Sequence, residues 1–483
     1  MFFPSHKGKA VSAFLLSSHA RFLKSIFVLL HHFSIFDLLF ILTVSLLPTQ
    51  LGKHFWPDFS YVAGIRVDYL SPTLYLTDVL LLLLFIVYSR DVYRRRKNLD
   101  PQRLWRLVRR NIPILIGITA VIVGIIASPT PLLSGVIALR VGEIVFFALC
   151  TKKFVERAIQ NAQLLLVALL GSVLFESVLA ILQFVRQGSL GGAWYFLGER
   201  AMLPTTPGAS LASLHGVLYL RAYGTFSHPN VLAGFILVSA SLVVALIKNV
   251  HARNRVLIYR LAPLSLFVFL ALVFTLSRTV LAFLVVMLIS AVIVYRQRLR
   301  FLLKSEMAKS KKISITLLVI STIIIAVLVF PLIISRYIAP DFLGESFVER
   351  VILANAAVQL LLSHPLYGVG LGQFIPSLPK VIQVVTHSML QPVHSVFLLV
   401  LSETGLAGFI GMTAVIYKGV RFQINQKKYL YLLPIIVCLL LGIGDHYLLT
   451  QQQGRMFLAI SLGILFVRTK SFGHRSTKNT KKD

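Results

Sequence analysis

His394-Ser395-Val396-Phe397-Leu398-Leu399-Val400-Leu401-Ser402-Glu403-Thr404-Gly405-Leu406-Ala407-Gly408 opens on a titratable ring and a hydroxyl, then runs into an apolar segment. A histidine there can accept a proton near neutral pH. The glycines about three helical turns further on are expected to let a neighbouring helix approach closely. A base at the mouth of an apolar helix suits chemistry at a boundary between water and lipid.

The surrounding sequence supplies that lipid setting. Hydrophobic residues make up 57% of the chain, charged residues only 13%, and the mean hydropathy is +0.82. Crossing ~30 Å of hydrocarbon takes about 20 apolar residues. Such runs recur with centres near residues 42, 81, 120, 141, 172, 239, 266, 287, 323, 405, 437 and 461. The chain therefore reads as an all-α polytopic membrane protein with about 12 transmembrane helices.

A net charge of +31 would point to nucleic acid in a soluble protein, but here the basic residues alternate by loop. Four lie before the first span, nine in Arg90 to Arg110, seven in Arg296 to Lys312, four in Lys418 to Lys428 and six from Arg468 onward. The positive-inside rule then places both termini in the cytoplasm of a multi-pass plasma-membrane protein, with no nucleic-acid partner. Residues 1–33 read as a retained cytoplasmic or interfacial segment, 34–468 as the membrane domain and 469–483 as a basic cytoplasmic tail. Two longer loops, about 187–229 and 335–393, fall on the outer face and draw the chemistry there. Cys150 and Cys438 both sit in apolar spans and predict no disulfide.

The first outer loop closes with Arg221-Ala222-Tyr223-Gly224-Thr225-Phe226-Ser227-His228-Pro229-Asn230. The second carries Glu349-Arg350, then His364-Pro365-Leu366-Tyr367-Gly368-Val369-Gly370-Leu371-Gly372, and ends at His394. The glycines Gly368 and Gly370 are only weakly like a phosphate loop, because no Lys-Ser/Thr follows. Thr275-Leu276-Ser277-Arg278 divides two apolar runs. Together with the His-[Asn/Ser/Gln]-x9-Gly-x-x-Gly pattern met by His394, Ser395, Gly405 and Gly408, these motifs over about 220–410 resemble the O-antigen ligase family. That superfamily also holds O-antigen polymerases and bacterial O-linked oligosaccharyltransferases. Many members carry Asn after the histidine, where Ser395 stands here.

The resemblance implies a glycosyltransferase C-like fold. It also implies transfer of a glycan from a polyprenyl-diphosphate carrier, such as undecaprenyl diphosphate, to a glycan, lipid or protein acceptor on the outer face. The residue chemistry fits this activity. Arginine stays charged and grips phosphate oxygens bidentately, which suits Arg221, Arg278, Arg350 and Arg455. His394 suits the general base, with Ser395, His228 and Asn230 as further substrate-binding candidates. A single inverting displacement without cofactor or metal is expected, since no Asp-x-Asp pair or i, i+4 histidine pair occurs on the outer face.

Blander readings stand beside these. An arginine at a span end can be an interfacial anchor, and His-Pro-Asn can simply start a helix. Glu403 lies about 13 Å deeper than His394 along the helix, so it is read as the partner of an arginine on another helix. Arg140 and Glu143, at i, i+3, are either a structural pair or part of a cavity lining. Asp37, Asp78 and Glu176 are apolar-span acids whose partners the sequence does not name. A transporter or flippase of lipid-linked sugars is the alternative function, for which buried charges would form a polar path.

Overall fold

The structure, a computed structural model, describes residues 33–94, 101–214, 216–247, 265–278, 345–384 and 386–468. The expected spans near 287 and 323, almost all of the N-terminal segment and the basic tail from residue 469 lie outside the described residues. Among the described residues, four helices are long and apolar enough to cross a membrane: Pro131–Arg157, Asn161–Arg186, Pro229–Leu246 and Val396–Asn425. Shorter apolar helices at Ile35–Ser45, Ile112–Ile126, Ser265–Phe274 and Tyr429–Gly444 coincide with four more of the expected centres. The protein is thus a predominantly helical membrane protein.

In chain order the elements that position the site are α1 (Ile35–Ser45), β1 (Gly52–His54), β2 (Tyr61–Val62), β3 (Ile65–Arg66), β4 (Thr73–Tyr75), α2 (Leu76–Arg94), α3 (Pro101–Arg110), α4 (Ile112–Ile126), α5 (Pro131–Arg157) and α6 (Ile159–Arg186). They continue with β5 (Leu211–Leu214), β6 (Val217–Leu220), α7 (Pro229–Leu246), α8 (Ser265–Phe274), α9 (Glu345–Ser363), α10 (Val396–Asn425), α11 (Leu433–Gly444), α12 (Tyr447–Thr450) and α13 (Gln452–Leu465). The strands form three antiparallel two-stranded ladders, β1 with β4, β2 with β3 and β5 with β6. Much of the second long loop is therefore helix, in α9.

Two apolar clusters hold the molecule. The larger lies inside the bundle, where Phe40, Phe147, Phe154, Phe235 and Phe457 are almost fully buried. The smaller packs the outer segments, joining Leu353 of α9, Phe374, Leu378 and Leu399 of α10 to Val62 and Val67. Outward-facing Leu82, Phe85, Leu139 and Val167 remain exposed on α2, α5 and α6, as expected of surfaces that meet lipid rather than water.

The buried acids all find partners. Asp37 closes a capping box with Ser34 and accepts from Arg157 and Asn161. Arg140 Nη1 meets Glu143 at 2.7 Å and Asp78 at 2.9 Å, so the i, i+3 pair is a triad that also ties α5 to α2. Glu176 of α6 accepts from the backbone N–H and hydroxyl of Thr225 at 2.9 and 2.7 Å. Cys150 and Cys438 are free thiols.

Candidate functional site

The motif at the end of the first outer loop is built from three local devices. His228 is the N-cap of α7, its Nδ1 accepting from Asn230 N–H at 3.1 Å, with Pro229 at the first helical position. Gln183 of α6 accepts from the N–H groups of Tyr223 and Gly224, and Glu176 takes Thr225. Arg221 is buried, with Nε donating to Thr275 O at 2.7 Å, Nη1 to Ser210 Oγ at 2.6 Å and Nη2 to Asn230 Oδ1 at 2.7 Å. The Arg221 and Thr275-Leu276-Ser277-Arg278 motifs, 54 residues apart, thus meet through one hydrogen bond.

Asn230 passes this order onward. Its Nδ2 donates to Asp445 Oδ2 at 3.1 Å, across 215 residues of sequence. Asp445 caps the end of α11 in an extended conformation, and its Oδ1 accepts from His446 N–H. The His446 ring lies 5.3 Å from that of His394, edge to face, and 5.4 Å from Tyr69. His394 itself precedes Ser395, whose hydroxyl accepts from Leu398 N–H as the N-cap of α10. Among the described residues the buried Nδ1 of His394 has no hydrogen-bond partner.

His394, His228, His446, Asp445 and Arg350 line one cavity of about 1530 Å³. Its polar part is lined by the segments between helices that carry Asp68, His228, His387, His394 and Asp445. From there it continues as an apolar corridor between α4, α5, α10, α11 and α13, past Ile118, Val121, Val145, Val400, Leu439 and Leu458. Small-molecule sites usually take about 300–1,000 Å³, so this space suits a longer amphipathic molecule. Arg350, on α9, has no hydrogen-bond or ion-pair partner among the described residues and faces the histidines.

Burial pushes the His394 ring below its ordinary pKa, the Arg350 charge adds to this, and Asp445 pulls the other way. His228 is lowered by burial and then by Arg221. His446 is lowered by burial, against Asp445. Burial would raise the Asp445 carboxyl, but the three histidines and the Asn230 hydrogen bond hold it below its ordinary range. The arrangement keeps His394 in the neutral, proton-accepting form next to a fixed carboxylate.

The candidate arginines separate on inspection. Among the residues lining the cavity are Arg350 and Arg455, but not Arg221 or Arg278. Arg455 is buried on α13, donating to the carbonyls of Leu449 and Thr450 and to Gln452 Oε1, so it also fastens the end of α12. Arg221 acts through Asn230. Removing its three hydrogen bonds in Arg221→Ala is expected to cost about 3 kcal/mol, read as a lowered unfolding temperature in detergent.

The glycines do something other than admit a helix at 405–408. α10 is broken at Gly405, which takes φ 61° and ψ −167°. The turn 365–370 docks on this break: Val369 N–H donates to Ser402 O and Gly370 N–H to Glu403 O, while Leu406 and Ala407 N–H reach Pro365 O and Leu366 O. A Cβ at Gly405 would fall on the backbone of Leu366, and one at Gly368, itself at φ +69°, on that of Glu403. Gly408 faces Thr404 of its own helix. The close helix approach comes one turn later, where Gly411 of α10 meets Gly117 of α4. Glu403 pairs with no arginine among the described residues. It accepts instead from Phe374 N–H and Gly372 N–H, locking the same turn.

Sequence reasoning missed Asp445 and His446 as neighbours of His394, because they lie about 50 residues downstream. The signal available was an acid and a histidine together at a span end. His54, Arg66 and Arg200 in the cavity lining were likewise unflagged.

Fold and site define a helical membrane protein with a histidine-lined cavity. Residues 263–413 match the family model described as O-antigen ligase. The match includes α8, α9, the Gly368 turn and the first half of α10. No match is found among curated proteins.

Proposed function

We propose that the chain transfers an oligo- or polysaccharide from a polyprenyl-diphosphate carrier to an acceptor hydroxyl at the outer face of the plasma membrane. The observation that carries this reading is the shared cavity, in which His394 and Arg350 face a polar chamber that opens into an apolar corridor. The corridor takes the polyprenyl tail, which gains about 25 cal/mol per Å² of apolar surface buried. Arg350 takes the diphosphate by charge-assisted hydrogen bonds.

His394 then accepts the proton of the acceptor hydroxyl. The freed oxygen pair forms a bond to the anomeric carbon, the bond from that carbon to the diphosphate oxygen breaks, and the leaving diphosphate keeps its electrons beside Arg350. One displacement inverts the anomeric centre. Arg221 and Asn230 hold Asp445, and Asp445 with His446 keeps the His394 ring in place. None of these steps calls for a metal.

The test is transfer of a labelled glycan from a synthetic polyprenyl-diphosphate donor by purified protein, with EDTA present, and NMR assignment of the product anomer. An inverted product supports the reading. A retained anomer overturns the single displacement, and donor translocation across proteoliposomes without transfer favours the transporter alternative. Arg350→Gln is expected to weaken donor use about 10- to 100-fold in kcat/KM.

A further inference from the structure

A second polar group, carried by the segments before α2 and before β5, also lines the cavity. The segment between α1 and α2 folds into the β1–β4 and β2–β3 ladders and brings His54 and Arg66 to the cavity, where Arg200 from the next outer loop joins them. Trp56 organises the pair. The His54 ring stacks on it at 5.6 Å and 13°, and the Arg66 guanidinium sits 4.5 Å from its ring centre. His54 Nδ1 is fixed by Ser71 Oγ and Thr73 Oγ1 at 3.2 and 2.9 Å. Such stacking holds a guanidinium in place while leaving its N–H fork open.

The acids nearby do not neutralise this group. Glu199, next to Arg200, spends its carboxylate on the N–H groups of Leu190 and Gly191 and on Gln183, at 2.8 Å each. Among the described residues Arg200 has no partner. Asp68 approaches Arg66 only at 3.9 Å, with both side chains more than 60% exposed, a geometry of little energetic weight.

We propose that His54, Arg66 and Arg200 form an anion subsite that holds a phosphate or carboxylate of the acceptor glycan while its hydroxyl is presented to His394. This rests on the transfer reading above. The acceptor is the substrate concerned because the donor is held elsewhere, by its tail in the helix-lined corridor and its diphosphate at Arg350. His54 and Arg66 lie in the β1–β4 and β2–β3 ladders and Arg200 in the segment before β5, not on the helices that line the apolar corridor. Bidentate guanidinium contacts favour planar carboxylates and phosphates alike.

Binding decides the proposal without catalysis. Full-length protein in nanodiscs is titrated with three disaccharides that differ only in a phosphate, a uronic carboxylate or neither. Wild type should bind one or both anionic disaccharides and the neutral one at least tenfold more weakly. Arg66→Gln with Arg200→Gln should lose at least tenfold for the anionic ligand, and the corresponding Lys variants should retain most of it. Binding that ignores the charge of the ligand, or is equal in the Gln variant, overturns the subsite. So does a change confined to the KM for the donor in the transfer assay. Absence of transfer with retained charge-selective binding would overturn the transfer reading and leave the subsite standing.

Discussion

If the proposed transfer runs through His394, replacing it with alanine is expected to lower transfer by about 10²- to 10⁴-fold, the range by which a positioned general base accelerates a reaction, while the fold survives. Survival is expected because Nδ1 of this ring makes no hydrogen bond among the described residues, so truncation strands no partner there. The pH profile tests the assignment further. Burial and then the Arg350 charge hold His394 below the ordinary 6.5, against Asp445. A lowered pKa means that the base stays unprotonated as pH falls through 6.5, so the acid limb of kcat/KM lies below that value. Arg350→Gln removes a lowering charge and should move the limb up. Asp445→Asn removes a raising charge and should move it down. A limb unmoved by both variants, or full transfer by a folded His394→Ala protein, would sink His394 as the base.

Gly405→Ala is expected to be strongly destabilising. At φ 61° and ψ −167° an L-residue is strained by about 1–3 kcal/mol, and its Cβ would fall on the Leu366 backbone, adding about 1–3 kcal/mol of overpacking. The break also sets the direction of the outer part of α10, whose N-terminus carries His394. Stability and transfer should therefore fall together. Gly142→Ala on α5 is the control, since a Cβ there meets nothing within 4 Å. Equal unfolding temperatures for wild type and Gly405→Ala would show that the docked turn is dispensable.

These two predictions differ in how far the sequence alone supports them. His394 was legible as a titratable ring at the start of an apolar helix, because its neighbours in sequence are its helix. The glycines were legible as a pattern but not as a device: a helix break cannot be told from a helix contact until the carbonyls of Ser402 and Glu403 are seen to receive Val369 and Gly370. Arg221 was read as a phosphate ligand but is not among the residues lining the cavity, and is spent on Thr275, Ser210 and Asn230. Residue type announced the charge, but only packing shows what the charge is used for.

By itself the sequence determined the membrane class, the helical secondary structure of its apolar runs, the start of α7 at His228-Pro229 and of α10 at Ser395, and the Arg140–Glu143 pair. All of these depend on composition or on residues within one helical turn. Only the tertiary structure decided that Asp445 and His446 stand beside His394, that Asn230 links Arg221 to Asp445, and that Gly411 rather than Gly408 meets a neighbouring helix. Those juxtapositions cross up to 294 residues, from Gly117 to Gly411. They are set by how the helices pack against one another, which no local pattern encodes.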